Sequence, residues 1–231
     1  MSRGRAVRLN RAYWPDQSQT PEEASALQLR WAKQVVEEPL PEPPALIAGC
    51  DVHLRGDLGR ATIVVMRFPE LDVVETVHGE ATTAFPYIPG FLGFREVPVL
   101  LEAWGRLVDP PDLVLVDGHG IAHPRGLGIA AHLGVVLDVP TIGVAKSPLV
   151  GKPEGALGEE PGSEAPLVWK GDRIGTLLRT RRRSNPLYVS IGHRVSLGGA
   201  VEWVRRTGTG YRLPEPTRQA HLAANATRRG E

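Results

Sequence analysis

The sequence predicts an α/β domain with a mixed sheet, in which three antiparallel strands precede parallel strands and helices flank the sheet. Strand-like segments joined by short polar links come first, and they predict the antiparallel part. Apolar runs that alternate with helical patterns follow, and they predict parallel strands. A chain of 231 residues is near the upper limit for one domain, so we expect a single domain over residues 1–231.

The first helix is predicted over Pro21–Glu38. Thr20 can cap it and Glu23 can complete a capping box, while prolines from Pro39 onward end it. The strands that follow are predicted over Leu46–His53, Ala61–Phe68 and Leu71–Glu80, with turns at Arg55–Arg60 and Pro69–Glu70. Such short links join antiparallel neighbours.

The middle of the chain predicts alternating helices and strands. A loop over Thr82–Arg95 leads to a helix over Glu96–Val108, with Pro98 in its first turn. The next elements are a strand over Leu113–Asp117, a helix over Leu127–Leu137 and a strand over Thr141–Ala145. Because crossovers are right-handed, the strand that ends at Asp117 is expected beside the first strand. This is the arrangement of the ribonuclease H-like fold.

The last third predicts a surface loop over Gly151–Pro166 and then smaller elements. The predicted elements are a hairpin of Leu167–Lys170 and Arg173–Thr180, a strand over Leu187–Gly192, a helix from Ser196 to Arg206 and a final helix over Pro216–Arg228.

The amino-acid composition says more about where the protein is found than about any reaction that it catalyses. The net charge of +1 does not indicate a nucleic-acid binder, so a phosphate-binding surface would need local clusters such as Arg3–Arg11 or Arg179–Arg183. Those clusters are equally explained as solvated faces, and residues 1–20 as a flexible arm. The single cysteine, Cys50, excludes an internal disulfide. With no secretory signal and no apolar run near 20 residues, we expect a cytoplasmic protein that does not bind membranes. We also expect a monomer.

Two acidic residues interrupt apolar strands. Asp51 lies within the first strand and Asp117 ends the fourth. If the two strands are neighbours about 4.7–4.9 Å apart, the carboxylates can share one or two divalent cations, with magnesium or manganese as the suitable ions. The alternative is that each is a hydrogen-bonded structural residue. Glu96 is a third acid, but its predicted position at a helix start is equally explained by the helix dipole.

Basic residues, glycines and one exposed aromatic complete the candidate site. His119 and His123 lie in a glycine-rich stretch after Asp117, where they can ligate, shuttle protons or contact phosphate, or be structural. Lys146 ends a parallel strand, where α/β sheets place ligands, although it can also be a surface lysine. Tyr87 lies in a stiff Pro-Tyr-Ile-Pro-Gly loop that suits a wedge between bases, or it packs on its own domain.

Together these residues resemble the endonuclease V family. The resemblance rests on the strings Pro86–Gly90 with Phe94–Glu96, Val116–Pro124, Gly128–Ala130 with His132–Gly134, and Pro140–Ser147, and it extends from about Ala24 to Arg218. It implies a ribonuclease H-like fold and hydrolysis that depends on Mg²⁺, with Mn²⁺ as a substitute. It also implies a nick at the second phosphodiester 3′ to deoxyinosine that leaves a 3′-hydroxyl and a 5′-phosphate.

The resemblance also assigns roles to residues. It implies metal binding by Asp51, Glu96 and Asp117, with His221 as a further residue near the metals, and catalytic assistance by His123 and Lys146. The implied base wedge consists of Tyr87, Ile88, Pro89, Gly90 and Leu92. The implied pocket for the flipped base consists of Gly118, Gly120, Ile129, Gly143 and Leu149. The sequence departs from the family pattern at Val52-His53-Leu54, where a small residue and an aromatic are expected, and at Ala131.

Three other functions remain open from the residues alone. One is an endoribonuclease specific for inosine, which would use the same catalytic residues. Another is a non-catalytic module that binds damaged DNA, which the intact set of acids and Lys146 disfavours. The third is a junction-resolving or transposase-type nuclease, for which a loop like that around Tyr87 is not expected.

Overall fold

The computed structural model describes residues 20–229, with side chains through residue 226. The predicted N-terminal arm and the Arg3–Arg11 cluster lie outside the described residues, except for Thr20. The helices are α1 (Pro21–Ala32), α2 (Leu92–Trp104), α3 (Ile129–Leu137), α4 (Leu197–Arg206) and α5 (Glu215–Arg229). The strands are β1 (Leu46–Arg55), β2 (Leu58–Arg67), β3 (Asp72–Thr82), β4 (Leu113–Val116), β5 (Thr141–Ala145), β6 (Lys152–Pro153), β7 (Glu164–Trp169), β8 (Asp172–Leu178) and β9 (Leu187–His193).

One mixed sheet organises the described chain, in the strand order β3-β2-β1-β4-β5-β9-β8-β7-β6. The first three strands are antiparallel, while β4 runs parallel to both β1 and β5. This confirms the predicted mixed sheet and the predicted position of β4 beside β1. Among residues 20–229 no helix has the length and apolar character to cross a membrane.

The register between β1 and β4 determines where the acids lie. Cys50 pairs with Val116, which is the last residue of β4. Asp51 and Asp117 each follow this pair by one residue, so the two carboxylates leave neighbouring strands at the same level. Because successive side chains alternate between the faces of a sheet, both point away from the face to which Cys50 belongs.

Two apolar layers enclose the sheet. Ala48 and Cys50 pack with α2 and α3 on one face, in a cluster that includes Leu100 and Leu133. Ile47 packs on the other face, together with Trp203 of α4. The carboxylate of Asp51 therefore lies on the face of β1 that Ile47 shares, where α5 also packs against β1.

The first predicted helix is too long. The capping box of Thr20 and Glu23 forms as predicted, but α1 ends at Ala32 rather than at Glu38. The backbone N–H of Val36 donates to Nδ1 of His193 at 3.2 Å, and its carbonyl accepts from the N–H of Arg194 at 2.7 Å. These long-range hydrogen bonds stabilise an extended segment in place of two further helical turns.

The second predicted helix begins too late. The helix α2 starts at Leu92, so the end of the predicted loop is helical and Pro98 lies in the second turn rather than the first. Tertiary packing outweighs the low helix propensity of Gly93. A Cβ at Gly93 would come within 2.9 Å of Nδ1 of His132 on α3, while Phe94 packs on the ring of Trp31 at 6.0 Å.

The predicted surface loop over Gly151–Pro166 is shorter than expected. Lys152–Pro153 forms the edge strand β6, and β7 begins at Glu164. Backbone pairing of Pro153 with Leu167 explains the difference, because it adds the start of the loop to the sheet. The predicted capping of α4 by Ser196 is confirmed, since its side chain accepts a hydrogen bond from the N–H of Gly199.

Gly49 allows α5 to approach the sheet, and this contact yields a test of the fold. A Cβ at Gly49 would lie 2.0 Å from the carbonyl oxygen of Pro216, which is backbone and cannot rotate away. We expect Gly49→Ala to displace the start of α5 and to lower the free energy of unfolding by about 1–3 kcal/mol or more in urea denaturation.

The matched control is Gly198→Ala in α4. A Cβ at Gly198 would meet nothing within 4 Å, so we expect it to be neutral or mildly stabilising. Equal urea midpoints for Gly49→Ala and the unchanged protein would contradict the close packing of α5 on β1.

Candidate metal and nucleic-acid site

Three acids from three elements come together where β4 ends beside the middle of β1. Asp51 lies in β1, Asp117 directly follows β4, and Glu96 is the fifth residue of α2. Their proximity is visible in their electrostatics, since Asp51 and Asp117 both raise the pKa of Glu96. The predicted place of Glu96 at a helix start was wrong, because α2 begins four residues earlier. The helix dipole fades beyond the first turn, so it no longer explains this acid.

Burial and the repulsion of neighbouring carboxylates raise the pKa of two of the three acids, Glu96 and Asp51. Burial raises the pKa of Glu96 to about 8, and the neighbouring carboxylates contribute to the rise. Burial also raises the pKa of Asp51 above its ordinary value, with Asp117 adding to it. The pKa of the Cys50 thiol rises as well, first through burial and then through the three acids. A cation among these oxygens would remove the repulsion.

The carboxylate of Asp51 is buried beside two imidazoles. The residue is 8% exposed, and its Oδ2 atom is buried without a hydrogen bond. Two imidazoles approach this oxygen, with Nε2 of His53 at 3.4 Å and Nδ1 of His221 at 3.6 Å. The structure thus brings His221 of α5 to the acids, as the resemblance implied. It also places His53 there, at a position where the family pattern has a small residue.

Lys146 faces the same cluster from the end of β5. Its ammonium group forms an ion pair with Oδ2 of Asp117. The backbone of Lys146 is held by Arg212, whose Nη2 donates to the Lys146 carbonyl at 2.7 Å. Within residues 20–229 no group of three histidine, cysteine or acidic side chains is arranged to hold a metal ion. The ion pair and the imidazole contacts occupy the acids instead, and they would have to open for an ion to bind.

The loop around Tyr87 is fixed at Gly90. The carbonyl oxygen of Gly90 accepts three side-chain hydrogen bonds, from Gln28 at 3.0 Å, His123 at 2.9 Å and Arg125 at 2.7 Å. Burial lowers the pKa of His123 to about 4, so this imidazole is neutral at physiological pH. His123 therefore contacts the Tyr87 loop from outside it, and its Nε2–H donates to the carbonyl of Gly90.

The tip of this loop is exposed, whereas its base is anchored. Tyr87 is 72% exposed, and Pro89 and Leu92 are also exposed, while Ile88 packs partly against a cluster of aromatic residues. Phe85 belongs to that cluster, and its carbonyl accepts from Nη1 of buried Arg95 at 2.7 Å. A rigid base with an exposed aromatic tip suits insertion between bases.

Four of the residues assigned to a base pocket, Gly118, Gly120, Ile129 and Gly143, lie together beside β4 and β5. A Cβ at Gly118 would meet the side chain of Ile129 at 2.3 Å, and one at Gly143 would meet the backbone of Gly118–Gly120 at 2.3–2.9 Å. Gly120 donates its N–H to Oγ of Ser190 at 2.9 Å. This close backbone packing explains the glycines. Leu149 follows β5 and is 42% exposed.

A cavity of about 380 Å³ lies on the other side of the acids, along β1, β2 and β3. Its lining includes His53, Arg60, His78 and Ala224. None of the residues assigned to the base pocket lines it, and His53 is its connection to Asp51.

Sequence reasoning missed Gln28 and Arg212. Gln28 is buried although polar, and it lies four residues after Ala24 on the apolar face of α1, a signal that can be found in the sequence. Arg212 lies in an irregular segment, and its contacts are all to distant backbone carbonyls. Only the folded chain brings those carbonyls together.

Comparison with known proteins identifies the family to which this chain belongs. The endonuclease V family model matches residues 29–222. The chain is 51% identical to the endonuclease V of Gloeobacter violaceus over 214 residues, which cover 91% of this chain and 87% of that protein. The chain belongs to the endonuclease V family and is thus a nuclease of the hydrolase class.

Solved structures agree with this assignment. The endonuclease V of Streptomyces avermitilis superposes with a TM-score of 0.86 at 40% identity, and the match covers 97% of this chain and 98% of that one. An endonuclease V variant from Ciona intestinalis superposes with a TM-score of 0.76 at 25% identity, covering 90% and 98% of the two chains. That variant was crystallised with a 23mer DNA containing an inosine followed by a ribo-adenosine.

The raised pKa of Glu96 predicts how stability changes with pH in protein stripped of metal by a chelator. Native Glu96 holds its proton up to about pH 8, whereas an unfolded glutamate loses it near pH 4.5. Native protein therefore binds more protons between these values, and the free energy of unfolding falls as pH rises, by at most about 1.4 kcal/mol per pH unit for one group. His119 and His123 have pKa values lowered by burial to about 4, so the unfolded protein binds their protons more readily and they make stability rise with pH. This opposing slope fades above about pH 7.5, roughly one unit beyond the pKa of an unfolded histidine.

The measurement is urea denaturation between about pH 7.5 and 8, where unfolded histidines are largely neutral. Glu96→Gln should remove most of the slope and should be more stable than the unchanged protein at pH 8. Glu102→Gln, on an exposed position of the same helix, serves as the control and should keep the slope. A stability that is flat or rising over this window would contradict the burial of Glu96 among like charges.

Proposed function

We propose that the protein is a metal-dependent DNA repair endonuclease that nicks the second phosphodiester 3′ to deoxyinosine. The observation that carries the proposal is the proximity of Asp51, Glu96 and Asp117 to one another and to the ammonium group of Lys146. Burial and the neighbouring carboxylates raise the pKa of Glu96 and of Asp51. The inosine-containing DNA bound to the Ciona relative supports the substrate. The products follow as a 3′-hydroxyl and a 5′-phosphate.

The donor set suits a hard divalent cation. Asp51 keeps a buried oxygen without a hydrogen bond, and carboxylate oxygens are the ligands that Mg²⁺ and Mn²⁺ prefer. We assign Asp51, Asp117 and Glu96 as ligands, with His221 beside them. When bound, the cation supplies an activated water and neutralises charge on the scissile phosphate. Ligation would favour the ionised forms of Asp51 and Glu96, whose pKa values burial raises.

The basic residues act on the phosphate and on the loop. Lys146 is held by its backbone, so its ammonium can exchange Asp117 for a non-bridging phosphate oxygen without moving the chain. His123 has a different role in this arrangement. Together with Gln28 and Arg125 it fixes the carbonyl of Gly90, and this orients the loop that carries Tyr87.

Base recognition follows from the loop and the glycine-lined pocket. Extrusion of a base costs a few kcal/mol and costs least for a mispaired base, which favours deaminated purines. Tyr87 stacks in the gap that the extruded base leaves. The backbone around Gly118, Gly120 and Gly143, with Ile129 and Leu149, receives the base, and an N–H donor there prefers the O6 acceptor of hypoxanthine to the amino group of adenine.

An endoribonuclease specific for inosine is the second candidate. The relative from Ciona is described with a ribo-adenosine after the inosine, so a ribose at that position is compatible with binding in this family. The same acids and Lys146 would catalyse both reactions.

The metal assignment predicts a variant that binds without cutting. Asp117→Asn keeps the size of the side chain but removes the charge that would hold a cation. We expect nicking of a deoxyinosine duplex with Mg²⁺ to fall by at least about 10²-fold, because transition-state charge loses its stabilisation, while binding of that duplex is retained. Asp109→Asn, on an exposed position before β4, is the control and should nick normally.

The substrates in this assay separate the candidates. Duplexes that differ only by inosine or adenine test base specificity, and a ribo-inosine strand of the same sequence tests the endoribonuclease. Undiminished nicking by Asp117→Asn would refute the metal assignment. Binding of inosine DNA without any metal-dependent cleavage by the unchanged protein would identify a non-catalytic module.

A further inference from the structure

Three consecutive arginines form an exposed turn between β8 and β9. Arg181, Arg182 and Arg183 all have exposed side chains. Arg182 pairs with Glu160 at 3.3 Å. The side chains of Arg181 and Arg183 have no ion-pair or hydrogen-bond partner in the part of the chain that the structure describes. We call residues 181–183 the arginine turn.

Hydrogen bonds hold the arginine turn in one conformation. The hydroxyl of Ser184 donates to the carbonyl of Arg181 at 2.7 Å, and the guanidinium of Arg179 donates to the carbonyl of Ser184. Arg179 also donates to the carbonyl of Gly158 at 2.6 Å. Arg183 has a left-handed backbone with φ of 57°. A turn whose backbone is fixed in this way loses little backbone entropy when a ligand binds its side chains.

Both ends of the arginine turn are attached to the residue that holds Lys146. Before the turn, the hydroxyl of Thr180 donates to the carbonyl of Arg212 at 2.6 Å. After the turn, the guanidinium of Arg212 donates to the carbonyls of Asn185 at 2.9 Å and Pro186 at 3.0 Å. The same guanidinium donates to the carbonyl of Lys146 at 2.7 Å.

These contacts place the arginine turn near the proposed catalytic centre. The chain from Asn185 to Arg183 spans at most about 7 Å. Adding the Arg212 contacts and the length of the Lys146 side chain puts the arginine turn on the order of 20 Å from Asp117. One strand of B-DNA carries about six phosphates over that distance, so one duplex can reach both places.

We propose that the arginine turn binds the sugar-phosphate backbone of the nucleic acid whose nicking is proposed above, through Arg181 and Arg183. Two free guanidinium groups on a fixed turn complement a polyanion, and guanidinium groups match phosphate geometry. The contact carries no base information, so it strengthens binding of undamaged and inosine-containing DNA alike. It supplies locally the positive charge that the net charge of +1 does not supply overall.

The test measures duplex binding by the full chain in chelator, from about 50 to 200 mM salt. Each lost phosphate contact lowers the slope of log affinity against log salt by about 0.9, so Arg181→Ala with Arg183→Ala should lower it by up to about 1.8. The weakening should be equal for the inosine and adenine duplexes. Arg181→Lys with Arg183→Lys keeps the charge and should keep most of the slope.

The matched control is Arg67→Ala with Arg106→Ala. Both arginines are exposed, and they lie at the opposite end of the sheet, since Arg67 pairs with Leu46 at the start of β1 and Arg106 lies between α2 and β4. The control loses the same charge and should change the slope far less. Equal slopes for the two double variants, or weakening of the inosine duplex alone, would overturn the proposal.

This outcome is separable from that of the proposed function. Binding of the adenine duplex in chelator requires neither a metal nor recognition of inosine. The salt test can therefore support phosphate binding by the arginine turn even if Asp117→Asn still nicks. Conversely, Asp117→Asn can lose nicking while the arginine variants keep the salt slope of the unchanged protein.

Discussion

The proximity of three carboxylates with little exposure to solvent is the constraint on which the site depends. The β1–β4 register brings Asp51, in the middle of β1, beside Asp117 at the end of β4, and α2 adds Glu96. Burial raises the pKa of Glu96 to about 8 and also raises the pKa of Asp51, and the nearby carboxylates add to both shifts. The fold keeps them together because β1, β4 and α2 pack in one apolar core. The protein thus maintains an arrangement that is costly in itself and that a hard cation would stabilise under the function proposed above.

The elements around the acids follow a common plan, in which side chains fix backbone carbonyls rather than one another. Three donors converge on the carbonyl of Gly90 and hold the loop of Tyr87. Arg212 does the same for Lys146 and for the segment after the arginine turn. In this way the groups that would meet the base, the scissile phosphate and the outer backbone are each attached to the same rigid sheet.

The sequence predicted the features that depend on local pattern and on strand pairing. Acids that interrupt or end apolar runs placed Asp51 and Asp117 on adjacent strands. The pairing of β1 with β4 confirms that adjacency. It misplaced the start of α2, because Gly93 and Phe94 become helical only through packing on His132 and Trp31. It also extended α1 too far, since the hydrogen bonds of Val36 join residues 157 positions apart. Contacts to distant carbonyls, such as those of Arg212, leave no periodic signal.

A crystal soaked in Mn²⁺ tests the account most directly, because manganese scatters anomalously and its position can be read without a model of the side chains. The account predicts an anomalous peak between the carboxylates of Asp51, Glu96 and Asp117, with the ammonium of Lys146 withdrawn from Asp117. A saturating soak that leaves the space between these three acids empty, with the Lys146–Asp117 ion pair intact, would contradict it.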